Sequence, residues 1–301
     1  MAFFTRYTVA DLPLPSGLIS LRQPNDTFFS AIQVLCEHHL LSAPVLSADG
    51  EEVLGMVDSL DVVARMVKLT TASETELKDV PIEDIMGLGV PAGKVSFEKV
   101  SLEDTLDKVL EIVSGPARRA IVLKEGRPHS VVTQSVMLQF LYDNRDKIEG
   151  LHDCGSAKEL CSDGAVCVKE NDTALSAFQL INSVGVWSLA IVDEDGCMVS
   201  VVSATDLVIG LRHMEDKTTA LASLAECSVT DLVVNNRSLD LKDKASTKAS
   251  TVTAQPDQPL ESILSKLAVC RVHRVVVCSE RKPVGVLSLT DVCRAVAGLK
   301  A

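Results

Sequence analysis

Residues 8–12 read Thr-Val-Ala-Asp-Leu, and the phrase returns as Pro-Ile-Glu-Asp-Ile at 81–85, Ser-Ala-Lys-Glu-Leu at 156–160 and Ser-Val-Thr-Asp-Leu at 228–232. The closing residues of successive copies lie 73, 75 and 72 positions apart. So regular a period marks one structural unit copied four times, and the whole chain is read as a repeat array. Units of about 75 residues bury marginal cores when alone, so the copies are expected to pair.

Each phrase is followed by the same order of patterns. An amphipathic helix comes first: Leu102, Leu106, Val109, Leu110 and Val113 keep helical spacing behind Ser101 and Asp104, which read as a capping box. Pro259 opens the corresponding helix of the fourth copy, with Leu260, Ile263, Leu264 and Leu267 on one face. Two β-rich runs follow. The first runs are LSAPVL (41–46), RRAIVL (118–123), WSLAIV (187–192) and HRVVVC (273–278). The second are VLGMV (53–57), HSVVT (129–133), MVSVV (198–202) and VGVLS (284–288). Asp49-Gly50 and Asp195-Gly196 supply hairpin turns. A second helix begins at once. The unit therefore reads strand–helix–strand–strand–helix with a short first strand, an α/β (α+β) architecture. Domain limits follow the phrases: 1–75, 76–148, 149–222 and 223–301, with 1–148 and 149–301 as paired modules. The polar connectors 70–80, 143–155, 213–226 and 235–250 are expected as loops, the last as a mobile surface loop.

Composition narrows the function. The 301 residues carry 29 basic and 41 acidic side chains, a net charge of −12, which argues against nonspecific nucleic-acid or anionic-membrane binding. No apolar run approaches a membrane span or a signal peptide, and the expected location is cytoplasmic, nuclear or both. The nine cysteines stand singly with no C-x-x-C pair, so free thiols are expected. Cys154 and Cys161 lie near His152 without metal-site spacing, and no metal is expected. There is no glycine-rich phosphate loop of P-loop or Rossmann type, no G-x-S-x-G and no H-E-x-x-H, so the chain is read as non-catalytic with no cofactor.

The second strands close on Asp58-Ser-Leu-Asp61, Thr133-Gln-Ser-Val136, Ser203-Ala-Thr-Asp206 and Ser288-Leu-Thr-Asp291. With the element order, these endings resemble the cystathionine-β-synthase (CBS) domain. The resemblance covers residues 8 to 298. Four such repeats alone in a chain are similar to the gamma subunit of AMP-activated protein kinase and its yeast and plant relatives. The fourth copy carries VHRVVV followed by VGVLSLTD, and the second has Val136 in place of the Asp. The resemblance implies two modules of paired repeats joined in a pseudo-symmetric disc. It also implies AMP, ADP or ATP in clefts between repeats, with phosphates toward the centre.

The ligand chemistry follows. A carboxylate can accept hydrogen bonds from both ribose hydroxyls, and Asp206, Asp291 and Asp61 stand at that position. A helix N-terminus offers N–H groups and positive partial charge to a phosphate. Ser203, Thr205, Ser288 and Thr290 add hydroxyls there. The same S-x-x-D is also an ordinary capping box, which leaves both readings open. By the resemblance, Arg118, Arg119, His273 and Arg274 reach the phosphates, with Arg118-Arg119 a departure that still supplies bidentate donors. Alternatively they are solvated or ion-paired. Leu41 and Ser135 stand where the gamma subunits carry Arg and Lys, and Asp58 adds a negative charge beside Asp61. Trp187 either fills the core or stacks on a base, core filling being favoured by aromatic burial. The expected function is a regulatory protein that binds adenine nucleotide and signals to a kinase catalytic or scaffold subunit, or to a homodimer. The alternative is a CBS scaffold with degenerate sites.

Overall fold

The computed structural model describes residues 3–69, 80–89, 97–214, 219–242 and 251–298. The expected connectors 70–79 and 243–250 lie outside the described residues. Repeat one comprises β1 (Leu21–Arg22), α1 (Phe28–Glu37), β2 (Ser42–Leu46), β3 (Val53–Asp58) and α2 (Ser59–Leu69). Repeat two comprises β4 (Glu98–Ser101), α3 (Leu106–Ser114), β5 (Arg119–Lys124), β6 (Arg127–Thr133) and α4 (Gln134–Asp143). A single turn, α5 (Ala157–Leu160), precedes repeat three: β7 (Cys167–Lys169), α6 (Ala174–Val184), β8 (Ser188–Val192), β9 (Met198–Ser203) and α7 (Ala204–His213). Then come α8 (Ala220–Glu226) and α9 (Val229–Lys242). Repeat four closes the chain with β10 (Thr253–Ala254), α10 (Leu260–Cys270), β11 (Arg274–Ser279), β12 (Lys282–Ser288) and α11 (Leu289–Gly298).

The expected order is thus present four times, once per repeat, and the fold class is α/β. Every repeat holds its own three-stranded sheet, with the short strand parallel to the middle one and the hairpin antiparallel. Each hairpin carries one register shift, after Val45, Val122, Ile191 and Val277. These four positions are equivalent, so even the irregularity is copied.

The phrases correct the expected boundaries. Each phrase packs on a repeat other than the one it precedes in sequence. Thr8 bridges Thr105 and Pro81 bridges Thr27, while Ser156 bridges Pro259 and Ser228 bridges Thr173. The exchange is driven by helix starts, whose first N–H groups lack intrahelical partners. Leu106 donates to the Tyr7 carbonyl, Phe28 to Val80, Leu260 to Gly155 and Ala174 to Cys227, at 2.9 to 3.0 Å. Each phrase also buries its second residue completely: Val9, Ile82, Ala157 or Val229.

The compact units follow other lines than the expected modules. Residues 1–148 and 149–301 are not the two units. One unit contains Met1–Leu18, Val95–Ala165 and Thr247–Ala301; the other contains Ile19–Lys94 and Val166–Ser246. The first, here the even unit, combines repeats two and four; the second, the odd unit, combines repeats one and three. Each has one continuous core. In the odd unit α2 packs on α6 and α7, and α1 on α7, around Phe28, Ile32, Met66, Phe178, Ile181 and Leu207. In the even unit α11 packs on α3 and α4, and α10 on α4, around Leu106, Leu110, Met137, Leu264 and Val292. The reason is area: a repeat of about 75 residues leaves one helical face uncovered, and a second repeat covers it.

The connector 235–250 is also corrected. It begins as helix, because α9 runs 14 residues from Val229 to Lys242. Leu232 and Val233 are buried on its inner face.

Candidate functional site

Strand register aligns the four copies atom by atom. The helix-capping residues Asp58, Thr133, Ser203 and Ser288 sit opposite Ser42, Arg119, Ser188 and Arg274. One position earlier stand Leu41, Arg118, Trp187 and His273. Their place at the helix starts is fixed by backbone bonds: Ser59 donates to Leu41, Ala204 to Trp187 and Leu289 to His273, at 3.0 to 3.1 Å. All four predicted basic residues therefore belong to the even unit, and the odd unit has apolar or neutral residues at the same places.

In the even unit the two helix starts meet. Gln134, first residue of α4, donates from Nε2 to Thr290 Oγ1 at 2.9 Å and to the Val113 carbonyl at 2.7 Å. Thr290 is buried by this contact. Arg118 and Arg119 flank the start of α4, and His273 and Arg274 that of α11. Arg118 adopts a left-handed backbone, φ 57°. Arg119 is 9% exposed, and His273 and Arg274 are half-buried. Two helix N-termini edged by four basic side chains form an arrangement suited to an anion.

Asp291 lies at the same end. Its Oδ2 accepts from the Ser288 N–H at 2.8 Å and from Ser288 Oγ at 2.6 Å. Oδ1 is 3.9 Å from Arg294 Nη1, and the carboxylate is 26% exposed. One oxygen thus caps, and the other stands near Arg294 in a carboxylate that is only partly buried.

Asp206 repeats the box with a different surrounding. Its Oδ2 accepts from Ser203 N–H at 2.7 Å and Ser203 Oγ at 2.8 Å. Burial pushes its carboxyl up, opposed by the Ser203 bonds, Asn236 and the Arg237 charge. Asn236 Nδ2 donates to the Asp206 carbonyl at 2.8 Å, and Arg237 Nη2 donates to Ser200 Oγ at 2.8 Å. Thr205 is half-buried on the first turn of α7.

Asp61 is 1% exposed. Its Oδ2 accepts from the Asp58 N–H and its Oδ1 from the Gly89 N–H, both at 2.8 Å. Asp58 caps in return, accepting from Leu60 and Asp61 N–H at 2.9 and 3.2 Å. A side chain at residue 89 would meet the Leu60 carbonyl carbon at 2.5 Å, so only glycine lets the chain lie this close over the helix start. In repeat two Thr133 caps through the Val136 N–H at 3.3 Å, with no carboxylate present. Trp187 packs against the odd core, in line with the core-filling reading.

Sequence reasoning missed Gln134, Gly89, Asn236 and Arg237. The last two lie in a polar Asn-Asn-Arg-Ser stretch that reads as loop. A visible signal was that Asn236 falls seven residues after Val229, on its helical face.

Comparison with known proteins fits this geometry. The model of the CBS domain family matches residues 157–213 and 247–298. Those segments fall in repeats three and four, and repeats one and two carry the same sheet, register and capping positions. Two of the four repeats thus match the CBS domain family, and all four share one architecture. Over 92% of this chain and 95% of its own length, protein MJ1225 from Methanocaldococcus jannaschii, described as a proposed archaeal homologue of the gamma subunit of AMP-activated protein kinase, superimposes with a TM-score of 0.72 at 16% identity. An uncharacterised conserved protein from Pyrococcus horikoshii gives a TM-score of 0.54 at 16% identity, covering 94% of this chain and 97% of its own. These likenesses concern the fold. In sequence, protein SDS23 of Meyerozyma guilliermondii is 21% identical across 91% of this chain and 57% of its own length. Protein sds23 of Botryotinia fuckeliana is 22% identical across 77% and 47%. The chain thus spans about half the length of the curated relatives it matches.

Proposed function

We propose that this protein is a non-catalytic regulatory subunit that binds an adenine nucleotide, AMP, ADP or ATP, and passes that state to a protein partner. The observation that carries the reading is the even unit's paired helix starts, where Arg118, Arg119, His273 and Arg274 edge two N-termini beside the partly exposed carboxylate of Asp291. Anionic phosphate suits the basic rim, and a ribose diol suits the carboxylate. A kinase catalytic or scaffold subunit, or a second copy of the chain, is the partner, in the cytoplasm or nucleus. Regulation requires that nucleotide bind one arrangement of the repeats more tightly than another.

Titration of AMP and ATP by calorimetry tests this. Arg274→Ala is expected to weaken AMP more than adenosine, because it removes a phosphate partner. Asp291→Asn keeps an acceptor for the cap and is expected to weaken both equally. No saturable binding at millimolar nucleotide overturns the reading.

A second reading, a scaffold with decayed sites, is favoured by Asp61, both of whose oxygens are taken by backbone N–H groups. It predicts that partner capture is insensitive to nucleotide.

A further inference from the structure

In three repeats the exchanged phrase ends within about one turn. The phrases at 9–11 and 82–84 are 3-10 turns, and α5 has four residues. After α5 the chain runs extended along β12: Ser162 N–H donates to the Val286 carbonyl at 2.9 Å, and Val286 N–H to Ser162 Oγ at 3.0 Å. Repeat three departs from this. Its phrase continues as helix through 14 residues and lies over β9 and the start of α7.

Three features hold it there. Asn236 is 3% exposed and bonds to the Asp206 carbonyl. Arg237 bonds to Ser200, which is itself buried. Gly210 on α7 faces Leu232 and Asn236, where an added Cβ would stand 3.3 Å from Leu232 Cδ1 and 3.8 Å from Asn236 Oδ1. The positions equivalent to Gly210, seven residues past each cap, are Arg65, Phe140 and Ala295. Repeat three alone combines glycine on the second helix with a long helix after the phrase.

We infer that α9 is a built-in plug that keeps the repeat-three site at Asp206 closed by placing Asn236 and Arg237 where a ligand would enter. This rests on the reading of Asp206 as a ribose anchor. The carboxylate has the Arg237 charge of its own chain acting on it and α9 packs on β9 and α7, so an adenosine ligand approaching Asp206 from that side must displace α9. The even-unit site carries no such helix. The four copies are therefore one exposed site, one blocked by Val136, one sealed by Gly89 and one plugged.

The test is hydrogen exchange with calorimetry on the full chain, using adenosine and AMP as probes. In the wild type, ligand is expected to protect amides at 288–291 and leave those at 203–206 unchanged. The Asn236→Ala/Arg237→Ala double variant is expected to gain one binding site per chain and ligand protection at 203–206. Gly210→Leu, which wedges α7 from α9 without touching Asp206, is expected to do the same. Adding Asp206→Ala removes the gained site. Ligand protection at 203–206 in the wild type overturns the plug, as does an unchanged site count in both folded variants. If the wild type binds nothing but the variants gain the Asp206-dependent site, the plug stands and the even-unit reading falls.

Discussion

At the scale of single residues, the same carboxylate-to-backbone bond makes a helix cap at Asp206 and, at Asp104, only closes the turn ahead of α3, whose N-cap is Thr105, so the expected Ser101–Asp104 capping box is not formed. Asp206 and Asp104 both close a turn by accepting from a backbone N–H three residues earlier. Burial raises Asp206 above its ordinary 3.8. Burial also pulls Asp104 upward, but the Lys108 ammonium and the Ser101 N–H outweigh it and leave Asp104 below 3.8. A group raised on folding contributes stability below its unfolded value and loses it as pH rises through the folded value; a lowered group does the reverse. The stability difference between wild type and Asp206→Asn is therefore expected to shrink as pH rises above about 3.8. That for Asp104→Asn is expected to shrink as pH falls below it. The Asp206 cap is worth about 1 kcal/mol. Urea melts from pH 3 to pH 7 measure both slopes, and slopes of the same sign contradict the assignment.

At the scale of elements, the exchanged phrase decides which repeat suffers from a change. Ile82 is fully buried, and it lies on repeat one although repeat two follows it in sequence. Ile82→Ala is expected to cost about 2–5 kcal/mol, as for other buried large-to-small changes. Hydrogen exchange is expected to quicken in α1, whose first N–H bonds to Val80, and not in α3. The reverse pattern would restore the phrase to the repeat it precedes. Strands and helices were legible from their period because each copy alternates apolar residues within a few positions. The partner of each phrase was not, because a bridge such as Thr8 to Thr105 spans about a hundred residues and leaves no local pattern. The same limit hid Asn236: a polar residue buried by a distant helix looks like any loop asparagine.

At the scale of the whole molecule, the two units interleave along the chain, crossing near residues 18, 94, 165 and 246. Cutting at residue 148 therefore divides both cores. The fragment 1–148 exposes the faces of α1 and α2 that α6 and α7 cover, and those of α3 and α4 that α10 and α11 cover. It is expected to self-associate or aggregate by size-exclusion chromatography. A monomer with a cooperative melt would show that half the chain suffices. The fourfold scaffold was readable from spacing, and so was the inequality of its copies at Val136, Leu41 and Asp58. Assignment of all the basic residues to one unit required the pairing of repeats two and four.

The interleaving also sets an order for synthesis. The odd unit's last segment ends at Ser246, whereas the even unit takes its final segment from Thr247 onward. As the chain leaves the ribosome, the odd core can close first, and the basic rim gains His273, Arg274 and Asp291 only after Ser246. A chain cut after Ser246 would hold every segment of the odd core and lack half of the basic rim.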